Sequence, residues 1–165
     1  MARDDHALCQ LSDNSFLIFG GFVEGSRTNE CYIAKKSGTT LDWTECGMTS
    51  PDKPCIRASH SIAYNPANDK CYIFGGQDDD NNKLCDIWEL DMKTETFKEL
   101  TIPSDCFQPL PRSGHSTNVY NNRMYIFGGI LELTKEINEM LTFDFETCKF
   151  EMVEGYTQEE LEKRK

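Results

Sequence analysis

Cys71-Tyr72-Ile73-Phe74-Gly75-Gly76 decides how the rest of this chain is read. An apolar, strand-forming run enters two glycines directly, the pattern of a buried strand whose backbone then turns where no Cβ is tolerated. The block recurs as Phe16-Leu17-Ile18-Phe19-Gly20-Gly21 and as Met124-Tyr125-Ile126-Phe127-Gly128-Gly129. Its glycine doublets begin at 20, 75 and 128, so they lie 55 and then 53 residues apart. A period of about 50 residues is the length of one four-stranded propeller blade.

Working outward, each copy opens on Arg-x-x-His: Arg3 to His6, Arg57 to His60 and Arg112 to His115. A short strand and a polar turn follow, with Asp13-Asn14, Asn65-Pro66 and Asn121-Asn122 as turn residues. Beyond the glycines, a variable loop leads to a third strand that begins on an acid: Glu30, Asp86 or Glu139. The fourth strand carries an aromatic residue, Trp43, Phe97 or Phe150, always 21 or 22 positions after the second glycine. The spacing predicts twelve strands in three antiparallel blades, with Gly-Gly at the end of each second strand. The sets Phe16, Cys71, Met124 and Trp43, Phe97, Phe150 are expected in the core, with Tyr32 and Trp88 packed on neighbouring blades.

These features resemble the kelch repeat, over about residues 3 to 154. The middle copy, Asp86-Ile87-Trp88-Glu89-Leu90-Asp91, fits that pattern best; Tyr32 and Leu141 replace its Trp in the outer copies. The resemblance implies an all-β fold of kelch-type β-propeller blades, with repeats at about 3–50, 57–104 and 112–154. Residues 155–165 are expected to be a charged tail or short helix, Thr157 and Glu160 having capping-box spacing.

Kelch rings usually hold five to seven blades, and three cannot close because strand twist sets the wedge of each blade. Three is half of six. The expectation is therefore a fragment of a longer chain, or a homodimer closing a six-bladed ring. The start near Arg3, without the proline lead-in of Pro54 or Pro109-Leu110-Pro111, favours the fragment. The open ends are expected to show Leu17, Phe19, Tyr32 and Ile33 on one side, and Tyr125, Phe127, Leu141 and Phe143 on the other.

Composition narrows function. Seventeen Lys and Arg against 28 Asp and Glu give a net charge of -11. That argues against duplex nucleic acid or an anionic membrane as the main partner, since both attract a basic field. No apolar run approaches the length of a membrane-spanning helix and no signal-peptide pattern is present, so a cytoplasmic location is expected. Eight cysteines occur without Cys-x-x-Cys. Several align with apolar residues (Cys71 with Phe16 and Met124, Cys31 with Ile87 and Met140) and read as reduced core fillers. Cys148, in a predicted turn, is the expected exposed thiol.

No Gly-x-Ser-x-Gly elbow, phosphate loop or His-Glu-x-x-His is present. The three histidines share one repeat position, a place for blade-to-blade hydrogen bonds rather than a metal ring. Some kelch proteins are metal-dependent enzymes; their ligand clusters are not seen in the loops here, and no cofactor is expected. What remains is a non-catalytic protein–protein interaction scaffold binding a protein or peptide. A fragment of a metal-dependent kelch-fold enzyme is the alternative. The binding face is expected on the loops joining strands two and three and those joining successive blades. Its candidates are Arg27, Asp78, Asp79, Asp80 and Lys83. Arg57 and Arg112 join them because the resemblance puts the innermost strand on the channel, where guanidinium groups suit carboxylate capture.

Overall fold

The computed structural model describes residues 2–132 and 135–153; the expected tail at 155–165 lies outside them. Among the described residues there is no helix. Blade one comprises β1 (Ala7–Gln10), β2 (Ser15–Phe19), β5 (Cys31–Ser37) and β6 (Thr40–Glu45). A small hairpin, β3 (Phe22–Val23) and β4 (Ser26–Arg27), fills the loop between its second and third strands. Blade two is β7 (Ser61–Asn65), β8 (Lys70–Gln77), β9 (Lys83–Asp91) and β10 (Thr96–Glu99). Blade three is β11 (Ser116–Tyr120), β12 (Arg123–Phe127), β13 (Met140–Asp144) and β14 (Lys149–Val153). Each blade is a four-stranded antiparallel meander, and the innermost strands β1, β7 and β11 lie side by side. The blades form an open arc.

The strands turn where local chemistry makes turning easy. Asp91 Oδ1 accepts bonds from the backbone N–H groups of Lys93 and Thr94, and Asp144 Oδ1 from those of Glu146 and Thr147. Glu95 and Cys148 then take left-handed φ values of 53° and 55° to close the two hairpins. The glycine doublet follows β2 and β12 as expected. In blade two it is drawn into β8, where a register shift between Phe74 and Gly76 bends the strand.

Two apolar layers hold the arc together. Between blades one and two, Leu17, Phe19 and Cys31 meet Cys71, Ile73, Leu90 and Phe97. Between blades two and three, Tyr72, Phe74 and Ile87 meet Met124, Ile126, Leu141, Phe143 and Phe150. Each such side chain contributes about 1.5–3 kcal/mol when fully buried. Strand alternation sets the direction: Cys71 and Ile73 face the preceding blade, Tyr72 and Phe74 the following one.

That parity corrects several expectations. Trp43 is 48% exposed and Phe16 only partly buried, although their counterparts are in the core, because among the described residues no other blade packs against that face of blade one. Leu17, Phe19, Leu141 and Phe143 are fully buried within the two layers rather than at the ends. Ile33 also packs against the first layer. Tyr32 meets Trp43 edge-on and the Arg3 guanidinium instead of a neighbouring blade. Trp88 does pack in the first layer. Cys148 is partly buried, and the exposed thiol is Cys55. The eight cysteines are all free, with Cys9 and Cys71 sulfurs 3.8 Å apart in the first layer. The neighbouring Cys9 thiol, and then burial, push the Cys71 thiol up, so it stays protonated.

Candidate functional site

The arginine that opens each repeat reaches the acid that opens its third strand. Arg57 donates two parallel bonds to Asp86, at 2.8 and 2.6 Å, and a third to the Gly75 carbonyl at 3.0 Å. Arg112 bonds Glu139 and the Gly128 carbonyl, and Arg3 bonds Glu30 and the Gly20 carbonyl. The Arg57 and Arg112 side chains are fully buried, so the structure places them inside their blades rather than at a partner-binding surface. Burial opposes the Arg57 charge, but the Asp86 bonds outweigh it and leave its pKa raised. Its main-chain carbonyl accepts the Gly21 N–H of the preceding blade, and that of Arg112 accepts the Gly76 N–H. One residue thus ties its own blade by side chain and the previous blade by backbone. The recurrence of acid and arginine 27 or 29 residues apart was the available sequence signal for this pairing.

The histidines seat on the same junction. His60 Nε2 lies 3.1 Å from the Phe19 carbonyl, and His115 Nε2 lies 2.8 Å from Ser61 Oγ. Their rings meet Phe19 and Phe74 edge-on at 5.4 and 5.2 Å. Burial, then the charge of the adjacent arginine, lowers the pKa of His60 to about 3 and of His115 to about 4. Both are neutral at pH 7. The glycines make room: a Cβ on Gly20 would stand 2.7 Å from His60 Cε1, and one on Gly75 3.0 Å from His115 Cε1. Among the described residues no group of three or more His, Cys, Asp and Glu side chains is placed to hold a metal ion.

On the loop face, two bases hold the loops to each other. Arg27 donates 2.8 Å to Asn81 Oδ1, joining the loops of blades one and two, and lies over the Phe22 ring. Lys83 Nζ bonds Ser113 Oγ at 2.5 Å, joining blades two and three. Asp78 builds its own turn by accepting from Asp80 and Asn82. Slight burial opposes ionisation there, but these bonds prevail and its pKa falls. Asp79 and Asp80 stand exposed beside it. The structure therefore gathers Arg27 with Asp79 and Asn81, and sets Arg57 and Arg112 apart.

A separate cleft of about 560 Å³ lies on the outer side of blade one, with His6, Leu8, Ile18, Tyr32 and Trp43 among its walls.

Antiparallel four-stranded sheets joined side by side through repeated Arg-His and Gly-Gly junctions define a β-propeller class of protein. Residues 5–165 match the family described as the KLHDC2/KLHL20/DRC7 Kelch-repeats domain. The chain belongs to the kelch-repeat family. It is 35% identical to human host cell factor 2 over 150 residues, covering 82% of this chain and 18% of that protein. It is 31% identical to human Kelch domain-containing protein 3, covering 87% of this chain and 38% of that protein. With the tRNA wybutosine-synthesizing protein 2/3/4 of Arabidopsis thaliana it shares 28% identity, over 90% of this chain and 15% of the relative. The chain thus spans less than two fifths of these relatives. Kelch-repeat domains are in general protein-interaction propellers.

Proposed function

We propose that the chain is a non-catalytic protein–protein interaction scaffold whose loop face takes a basic peptide or a basic segment of a protein. One observation carries this: Arg27 and Lys83 are engaged between loops, while Asp79 and Asp80 remain exposed. Rigid blades beneath hold that acidic edge in place, which lowers the ordering cost of binding. Electrostatic complementarity then sets partner choice and encounter rate more than total affinity. We place this activity in the cytoplasm, a reading supported by thiols used as core fillers. We further propose that the arc is half of a six-bladed ring.

The test is binding of lysine-rich and acidic peptides to the purified chain across a salt series. Lysine-rich peptides are expected to bind, to weaken with salt, and to lose affinity when Asp79 and Asp80 are both changed to Lys. Asp78 is left intact because it builds the turn. Binding indifferent to those changes and to exchange of the 77–84 loop would remove the case.

A further inference from the structure

We propose that Cys31 and Cys46 form a modification site, in which Cys46 attacks a small hydroperoxide and Cys31 then closes a disulfide across the two outer strands of blade one.

The repeats isolate the pair. Where blade one carries Cys31 and Cys46, blade two carries Ile87 and Leu100, and blade three Met140 and Val153. The partners stand opposite each other across the third and fourth strands. Cys46 N–H donates to the Cys31 carbonyl and Leu100 N–H to that of Ile87, each at 2.9 Å, and Met140 faces Val153 in register. Apolar side chains therefore satisfy the fold at this place, and only blade one fills it with two thiols. Residues bonded in this way across an antiparallel pair have Cα atoms about 5.5 Å apart. That lies inside the roughly 4.4–6.8 Å span that a disulfide bridges.

The two thiols already interact. The Cys31 S–H donates to the Cys46 sulfur. This bond lowers the Cys46 pKa against the opposing effects of burial and Glu95, with the Lys53 ammonium assisting. The same bond, and then burial, raise that of Cys31 well above the ordinary thiol value. One thiol is poised to lose its proton and the other to keep it. Both residues are buried, and both stand in the wall of a cleft of about 220 Å³, with Met48 and Lys53. The segment bearing Met48 and Lys53 is held in place. Asn29 Nδ2 bonds the Pro54 carbonyl at 2.9 Å, and Ser50 Oγ accepts from the Phe97 N–H at 2.8 Å.

Proximity alone would not single out this pair. The Cys9 and Cys71 sulfurs are 3.8 Å apart, but Cys71 is fully buried and held protonated. At the proposed site, the Cys46 thiolate attacks one peroxide oxygen and the O–O bond breaks. The leaving alkoxide, or hydroxide from hydrogen peroxide, takes up a proton, and Cys46 becomes a sulfenic acid. The Cys31 sulfur, giving up its proton, attacks Cys46 Sγ and expels the sulfenic oxygen as water. Two thiols and one hydroperoxide become one disulfide, one alcohol (or water) and one water. The sulfurs lose the two electrons that reduce the O–O bond.

Hydrogen peroxide added to the reduced, purified chain tests this by peptide mapping after alkylation of the remaining thiols. A link between Cys31 and Cys46, reversed by dithiothreitol, is expected as the first disulfide formed. In Cys31→Val, a dimedone-type probe should trap a sulfenic acid at Cys46. In Cys46→Val, oxidation of Cys31 should slow by at least about 10-fold. Valine already serves at the second position in blade three, and circular dichroism checks that each variant folds. The wild-type map decides without either variant. A Cys9–Cys71 link formed first overturns the proposal, and so does oxidation confined to the exposed Cys55. Oxidation of Cys31 at an undiminished rate in folded Cys46→Val also overturns it, because Cys46 is then not the attacking thiol.

Discussion

Arg57 shows how much one side chain can decide in this fold. Its guanidinium is fully buried, and Asp86 is its ionic partner. Removing the arginine leaves a carboxylate in a partly buried place without its counter-charge, which costs far more than losing a surface pair. Arg57→Met is expected to destabilise by about 3–5 kcal/mol in denaturant melts. A loss under about 1 kcal/mol would show that Asp86 finds water instead. Arg123→Met, which removes an exposed link to Glu151 and Asp144, should leave the midpoint nearly unchanged. His60 and His115 give a separate pH signature. Their pKa values fall from 6.5 in the open chain to about 3 and about 4 in the fold. The unfolded chain therefore binds protons first as pH drops. Their stability contribution is complete above pH 6.5 and is lost on acidification, down to about pH 4 for His115 and about 3 for His60. Each adds a slope of about 1.4 kcal/mol per pH unit inside that window. Melts between pH 7 and 4.5 should show this slope, and a His60→Gln, His115→Gln double variant should flatten it; an unchanged slope would assign it elsewhere.

At the scale of the element, the glycine doublet behaves as a joint. Gly76 has φ of +98°, and an added Cβ would stand 2.7 Å from the Ala58 carbonyl and from His60 Cβ. Gly38, in the turn between β5 and β6, has φ of +60° with nothing within 4 Å. Gly38→Ala should cost about 1 kcal/mol for backbone strain alone, and Gly76→Ala more than about 3 kcal/mol, since main chain must also move. Equal costs in denaturant melts would mean that the doublet serves only as a turn. The doublet was legible in sequence because a positive φ and a close approach both demand glycine. Strand order and hairpin turns were legible for similar local reasons. Burial was not. Trp43, Phe97 and Phe150 occupy one register position, yet among the described residues only the last two have another blade packed against them. The Arg57–Asp86 pair was visible as two separate motifs, but their contact depends on two further features, the bend of β8 at Gly75 and the turn at 78–82 that brings β9 back. The loop bases illustrate the same limit: sequence placed Arg27 and Lys83 on the face, and only the folded loops show them engaged.

Across the whole molecule, stability should be graded by how many neighbours a blade has. Blade two is packed on both faces, and Cys71, Ile73, Phe74, Ile87 and Leu90 are wholly inaccessible. Blades one and three each pack on one face, and every residue of β6 is exposed. In arrays of repeats, local opening follows nearest-neighbour interfaces rather than the sum over the chain. Opening an outer blade breaks one apolar layer; opening blade two breaks both. Amide exchange at low concentration is therefore expected to be slowest in β8 and β9, faster in β2 and β12, and fastest in β6. Exchange that is uniform over β2, β8 and β12 would show one indivisible unit, and the graded arc would have to be abandoned.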